Sequence, residues 1–177
     1  AVDAIEKGFE KCKTKPRPCL AQLATAAGKS YIIAELARRH KSALILAPTK
    51  EITEQNYQKL LDIGIPRKDI GICSASMGSH QINRITLGTI GTIKKFAKTL
   101  EDIEVVIIDE ADVAPIERAD SVYVSFLQQL KTNKICGLTA STWRNWIVKR
   151  QFEDPRVYCR PLTRIPMNGG KDTRFGQ

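Results

Sequence analysis

Little in this sequence supports a scaffold held together by cross-links, metal or lipid. Its 177 residues include five cysteines and two histidines. Cys12, Cys19, Cys73, Cys136 and Cys159 form no C-x-x-C pair, and only His40 and His80 could add imidazoles, so the ligand spacing of a structural zinc site is missing. An odd number of thiols fits a reducing compartment, where disulfides do not persist. Cys19, Cys73 and Cys136 fall in apolar runs and are expected in the core. No apolar run nears the roughly 18 residues needed to span a bilayer. The charge-mixed start Ala1 to Lys13 lacks the pattern of a secretory signal. Together these absences predict a soluble, cytoplasmic protein. There is no internal repeat, no low-complexity segment and no initiator methionine, and Val2, Ile5 and Phe9 share one face of what reads as a helix, so the chain is expected to be a fragment.

Acidic charge is also scarce. Against 28 basic residues stand 19 acidic ones, a net charge of +9 that favours polyanion binding. From Thr142 to Gln177 there are eight basic residues and three acidic ones, so this stretch holds +5 of the total. Trp143, Trp146, Phe152 and Tyr158 lie among them. Two readings stay open: these rings stack on nucleic-acid bases, or they cover a sheet edge beside solvated arginines.

A length of 177 residues fits one domain that buries roughly two thirds of its unfolded surface. Apolar runs at Cys19 to Leu23, Ala43 to Leu46, Ile70 to Cys73, Ile85 to Leu87, Val105 to Ile108 and Ile135 to Leu138 read as strands. Helical patterns fall between many of them: Ile52, Gln55, Leu60 and Leu61 in one, Ile90, Ile93, Phe96 and Ala97 in another, and Val122, Val124, Phe126, Leu127 and Leu130 in a third. Strand and helix in alternation predict a mainly parallel α/β sheet with helices on both faces. Residues 1–160 are assigned to that domain, and 161–177, rich in proline and glycine with little periodicity, to a linker or irregular tail.

Two segments carry chemistry. Val105-Val106-Ile107-Ile108 runs into Asp109-Glu110-Ala111-Asp112. Four β-branched residues without polar alternation suit a strand buried on both faces, whose carboxyl end is where parallel sheets bind ligands. Alone, the acidic turn is equally a solvated loop. Upstream, Leu23-Ala24-Thr25-Ala26-Ala27-Gly28-Lys29-Ser30 follows an apolar stretch and opens a helical pattern with Ile32, Ile33, Leu36 and Ala37 on one face. A phosphate loop needs inward backbone N–H groups, a lysine for the β- and γ-phosphates and a hydroxyl for magnesium. Leu23 stands where the strict pattern has its first glycine, and a Ser/Thr-rich helix start is the competing reading. In this order the two segments supply a triphosphate cradle followed by magnesium and water ligands, the requirements of phosphoryl transfer.

With these residues in view, the chain resembles superfamily 2 helicases of the DEAD/DEAH-box kind, specifically their N-terminal RecA-like, P-loop domain. Ala47-Pro48-Thr49-Lys50-Glu51 with Gln55 looks like motif Ia, Thr86-Leu87-Gly88-Thr89 with Thr92 like motif Ic, and Gly137-Leu138-Thr139-Ala140-Ser141 like motif III. The likeness covers Val2 to about Arg144 and departs from the family at Ser141-Thr142, where Thr-Pro often stands. It implies an ATP-dependent nucleic-acid helicase or translocase. ATP would lie on Thr25, Ala26, Ala27, Gly28, Lys29 and Ser30, with Lys29 and Glu110 catalytic and Mg2+ held by Ser30 and Asp109. Asp112, Thr139 and Ser141 would couple the ATP site to the nucleic-acid path, and Pro48, Thr49, Lys50, Gly88 and Thr89 would lie along the phosphodiester backbone of a nucleic acid, with DNA somewhat favoured over RNA and the choice between them left open. The family's adenine-recognising glutamine would fall upstream of Ala1. Its Gln-x-x-Gly-Arg-x-x-Arg element, source of an arginine finger, is absent from these residues. A second RecA-like domain is therefore an expected partner, and the chain alone an expected poor ATPase. The alternative is a RecA-like nucleic-acid-binding module that no longer turns over ATP. A small-molecule kinase would leave the motif Ia, Ic and III residues unexplained.

Overall fold

The structure, a computed structural model, describes residues 1–11, 19–23, 28–114, 120–140 and 157–159. Helix α1 (Val2–Lys11) precedes strand β1 (Cys19–Gln22), α2 (Lys29–Arg39), β2 (Ala43–Leu46) and α3 (Lys50–Asp62). Strands β3 (Ile70–Ser74), β4 (Ser79–His80) and β5 (Ile85–Gly88) follow, then the short α4 (Ile90–Ile93), β6 (Val105–Ile108), α5 (Val122–Leu127), β7 (Lys134–Thr139) and β8 (Val157–Cys159). Among the described residues the strands form one sheet in the order β4-β3-β5-β2-β6-β7-β1-β8. The six inner strands pair in parallel, while β4 and β8 close the two edges antiparallel to their neighbours. This is the mainly parallel α/β sheet with helices on both faces that the strand and helix alternation predicts, and it agrees with the RecA-like fold the resemblance implies.

The two faces explain why the central strands lack alternation. Ala43 and Ile45 of β2 and Val105 and Ile107 of β6 pack under α1, α2 and α3 with Ile5, Ile33, Leu36 and Leu60. Leu44, Leu46, Val106 and Ile108 face the other way, onto Ile93, Phe126 and Leu127. Every side chain of β2 and β6 is therefore buried, the condition that favours a continuous β-branched or leucine run. Cys19, Cys73 and Cys136 are all buried in this core.

Two expectations about faces need correction. Gln55 is exposed, and the buried stripe of α3 is Thr53, Asn56 and Leu60. Val122 is 45% exposed while its neighbour Tyr123 is buried. In both cases the periodicity was right and the rotation of the helix about its axis was not, because a local pattern does not say where the sheet lies. The edge strands β4 and β8 leave no signal in the sequence, since two or three residues carry too little pattern. The expected tail at 161–177 lies outside the described residues, as do Trp143, Trp146 and Phe152. Among the described residues no helix is long and apolar enough to cross a membrane.

Candidate functional site

Because the inner strands run in parallel, their carboxyl ends line one edge of the sheet. Register places Gly88 beside Leu46, Leu46 beside Ile108, Ile108 beside Gly137 and Thr139 beside Gln22. Backbone hydrogen bonds extend the pairing just past the strands: Ala47 N donates to Gly88 O (3.0 Å), Asp109 N to Leu46 O (2.8 Å), Ala111 N to Leu138 O (2.9 Å) and Leu23 N to Thr139 O (2.8 Å). The carboxyl ends of β5, β2, β6, β7 and β1 thus stand side by side in that spatial order.

Lys29 opens α2 immediately after Gly28, whose φ of 77° is a left-handed conformation that glycine adopts without steric cost. The Lys29 ammonium pairs with Glu110 Oε1, a contact across 81 residues of chain. Glu110 is itself left-handed at φ 48°, the one non-glycine residue so placed among those described. Such a conformation costs of order 1–3 kcal/mol and persists only where the surroundings impose it. Here they do: Glu110 N donates back to Asp109 Oδ1 (2.9 Å), and Ala111 is held to β7. A Cβ on Gly137 would come within 2.8 Å of the Ala111 Cβ, so glycine in β7 lets the acidic turn lie flat against that strand.

Asp109 is 6% exposed. Burial pushes its carboxyl above the usual range, against the opposing pull of Asn56, Lys29 and the Glu110 N–H. Asn56 Nδ2 donates to Asp109 Oδ2 at 2.8 Å. Asn56 Oδ1 has no hydrogen-bond partner among the described residues, a deficit that costs about 1–3 kcal/mol in a buried group. Further along the edge, Thr139, 1% exposed, donates from Oγ1 to Asp112 Oδ1 at 3.0 Å.

The structure therefore brings Lys29, Asp109 and Glu110 into one cluster, joins Asp112 to Thr139, and puts Ser30 in the first turn of α2 beside Lys29. Thr25, Ala26, Ala27 and Ser141 lie outside the described residues. Leu23, the departure from the strict phosphate-loop pattern, is 3% exposed and packs in the core under α2, so its side chain does not intrude on a cradle at the edge.

The remaining candidates flank this cluster. Thr49 caps α3, its side chain accepting from Ile52 N at 3.4 Å, and Thr49 and Lys50 are exposed. Lys50 reaches Glu54 at 3.6 Å. Thr89 stands at the start of α4 without a side-chain cap. Gly88 is buried, and a Cβ there would meet the Cys73 carbonyl oxygen at 2.4 Å. Its glycine is explained by that close approach.

Sequence reasoning missed Asn56. The signal was a polar residue in the i, i+3, i+7 stripe Thr53, Asn56 and Leu60, legible only once the buried face of α3 is known.

Asp109 and the Ser30 hydroxyl, the expected magnesium ligands, would offer oxygen donors only, the kind magnesium takes alongside phosphate oxygens and water. Among the described residues no group of three or more His, Cys, Asp or Glu side chains is placed to hold a metal ion, so such an ion would depend on those additional ligands. A cavity of about 520 Å³, bordered by Phe9, Glu10, Ile103 and Lys134, opens at the opposite edge of the sheet. The Lys29, Asp109 and Glu110 cluster lies instead at the carboxyl edge.

A parallel RecA-like sheet with a lysine at a helix start after β1 and paired acids after β6 defines the class of helicase-type motor domains. Consistent with this, the sequence profile described as DEAD/DEAH box helicase matches residues 4–147. The chain belongs to that family. Among solved structures it is similar to the UvsW helicase of bacteriophage T4, with 22% identity, a TM-score of 0.58 and coverage of 78% of this chain and 51% of that one. It is similar as well to the Pyrococcus furiosus Hef helicase domain (26% identity, TM-score 0.56, 77% of this chain and 32% of that one). A third likeness is to the Sulfolobus solfataricus SWI2/SNF2 ATPase core solved with double-stranded DNA (18% identity, TM-score 0.53, 80% and 32%). The chain thus spans about half the length of the UvsW chain. No curated protein sequence matches it.

Proposed function

We propose that this chain is the ATP-binding first motor domain of a nucleic-acid helicase or translocase and that it hydrolyses ATP with Mg2+ at the carboxyl edge of the sheet. The observation that carries this reading is the convergence of Lys29 and Glu110 beside the buried Asp109. The Lys29 and Glu110 side chains are 15% and 33% exposed. The pair is part-buried, and a triphosphate carrying several negative charges competes with the single Glu110 carboxylate for the lysine. With Lys29 turned to phosphate oxygens, the Glu110 carboxylate is released to orient a water molecule and accept its proton. Backbone N–H groups at the start of α2 receive further phosphate charge. Asp109 and Ser30 would hold Mg2+, which when bound neutralises charge on the phosphates. Asp112 and Thr139 link this turn to β7 and are the proposed coupling pair, with Ser141 following.

Pro48, Thr49 and Lys50 after β2, with Gly88 and Thr89 after β5, are proposed to face the phosphodiester backbone. Support comes from their adjacency on the same edge, the exposure of Thr49 and Lys50, and the net charge of +9. One structural neighbour was solved with double-stranded DNA, and DNA is the polymer to test first. Binding should weaken with salt and show little base preference. A second RecA-like domain bearing the arginine finger is the proposed partner for efficient turnover, since a finger contributes roughly 10³ to 10⁵ in rate.

The deciding experiment is Lys29→Ala in a protein carrying both motor domains. Affinity for an ATP analogue should drop by about tenfold or more, the equivalent of at least about 1.4 kcal/mol, and hydrolysis should be lost. Unchanged affinity and hydrolysis would remove the assignment. If instead the wild type binds DNA but neither binds nor hydrolyses ATP, the non-hydrolysing module is the correct reading.

A further inference from the structure

Asn56 does not belong to the groups expected to touch ATP, yet it is the side chain that fixes the most buried of them. It sits in the middle of α3, 2% exposed, and its Nδ2 donates to Asp109 Oδ2 at 2.8 Å across 53 residues of chain. The other carboxylate oxygen accepts from Glu110 N at 2.9 Å. With one donor on each oxygen and its own N–H held by Leu46 O, Asp109 keeps neither a free rotamer nor a free carboxylate plane. The amide orientation follows from charge, since turning it over would place Oδ1 against a carboxylate oxygen. That orientation leaves Oδ1 without a partner among the described residues. A polar core residue chosen only for stability would have both ends of its amide satisfied. Here one end is given up to aim Asp109.

We infer that Asn56 is a positioning residue that sets the Asp109 carboxylate for Mg2+ and ties it to α3, the helix whose first turn carries Thr49 and Lys50. The inference rests on the ATP and magnesium reading above. Asn56 does not touch the nucleotide. It acts through Asp109, so its loss affects the part of nucleotide binding that depends on the metal ion and spares the part that depends on Lys29 and the helix start. A shift of α3 is transmitted to Asp109 through the same hydrogen bond, which joins the proposed polymer-binding end of the edge to the proposed ATP end.

The test titrates a fluorescent ATP analogue into the 177-residue chain, once with excess Mg2+ and once with EDTA, for the wild type, Asn56→Leu, Asn56→Ser and Thr53→Val. Thr53 is buried on the same helix and donates to Thr49 O at 2.8 Å, so its substitution disturbs α3 without touching Asp109. Both Asn56 variants should lose about tenfold of the Mg2+-dependent gain in affinity while keeping the affinity measured in EDTA, a coupling of about 1.4 kcal/mol. Thr53→Val should lower the melting temperature and leave the Mg2+ gain intact. Wild-type ratios in the Asn56 variants, or an equal loss in Thr53→Val, would overturn the inference and leave the ATP reading standing. Failure of both Asn56 variants to fold would assign the residue to the core and overturn it too. A wild-type chain whose binding ignores Mg2+ would overturn the ATP and magnesium reading, and the inference with it.

Discussion

The two edges of the sheet carry charged clusters of similar size and opposite character. At the amino edge, Glu104 accepts from Lys134 Nζ at 2.8 Å and from Lys41 N at 2.7 Å, and His40 stands between Glu104 and Glu6 at 3.1 Å from each. Burial acts to raise the Glu104 carboxyl, but the hydrogen bonds from Lys134, His40 and Lys41 outweigh it and bring it down to about 2. At the carboxyl edge, burial dominates Asp109 and its carboxyl is raised. There too lie the left-handed Glu110 and Asn56 Oδ1, which has no hydrogen-bond partner among the described residues. The amino edge has every sign of a network selected for stability. The carboxyl edge keeps charge under-compensated and backbone strained, the condition in which a ligand carrying phosphate and magnesium has most to gain.

The sharpest way to break that contrast is Glu110→Gln. With the carboxylate gone, turnover in a protein with both motor domains should fall by roughly 10²- to 10⁴-fold, the range of a lost general base. Nucleotide affinity should hold or rise, because Lys29 is freed for phosphate, and melting temperature should change little, because a single part-buried pair at a strained turn is lost. Phosphate release and thermal unfolding measured on the same sample decide it. A variant that unfolds early with normal turnover would mean the acidic turn is structural after all.

Gly137→Ala probes how that turn is seated. The added Cβ meets Ala111 at 2.8 Å and Leu20 Cδ1 at 3.2 Å, and overpacking of this kind costs about 1–3 kcal/mol. Thermal unfolding should show the loss. Relief of the clash by pushing out the turn should also weaken Mg2+-dependent nucleotide binding. Loss of stability with unchanged binding would show that the turn's position is less critical than the strain at Glu110 implies.

How much of this was legible in sequence differs between the same two edges. The run Val105 to Ile108 ends where it should, and Ala43 to Leu46 agrees in both bounds, because strands buried on both faces leave an unbroken apolar signature. Asp109, Glu110 and Lys29 were nominated from order along the chain, since a phosphate loop and an acidic strand end are local patterns, and the structure brings the three together. Asn56 was not, because its meaning depends on a contact across 53 residues and on which face of α3 meets the sheet. The amino-edge network was invisible for the same reason: His40, Glu104 and Lys134 come from three separate strand approaches and share no local spacing. Gly88 illustrates the converse. The family resemblance assigns it to nucleic acid, while its contacts with Cys73 and Ile93 already require glycine.

Glu104→Gln tests the stabilising half of the contrast. A carboxyl held at about 2 when folded and at its ordinary 4.5 when free stabilises the fold fully above 4.5 and loses its contribution as pH falls towards 2. About a third of the side chain is exposed, so solvent screening limits the effect to about 1 kcal/mol at neutral pH. Thermal unfolding of variant and wild type should differ at pH 7 and converge on acidification, with ATP affinity unchanged at neutral pH. A gap that persists at low pH would mean that packing, and not charge, makes the amino edge stable.

The smallest expected effect distinguishes capping from polymer contact at Thr49. The cap bond to Ile52 N is long at 3.4 Å, so Thr49→Ala should cost near the low end of the capping range, about 0.5 kcal/mol, and Thr49→Ser should restore it. If Thr49 also meets a phosphodiester, Thr49→Ala should weaken DNA binding uniformly across sequences, while a distant variant of equal stability loss should not. The stability change and the binding change then have different sources. The first comes from the end of α3 and the second from the edge it shares with the proposed ATP site. A binding loss that tracks melting temperature alone would reduce Thr49 to its cap and shift the polymer path towards Lys50 and Thr89.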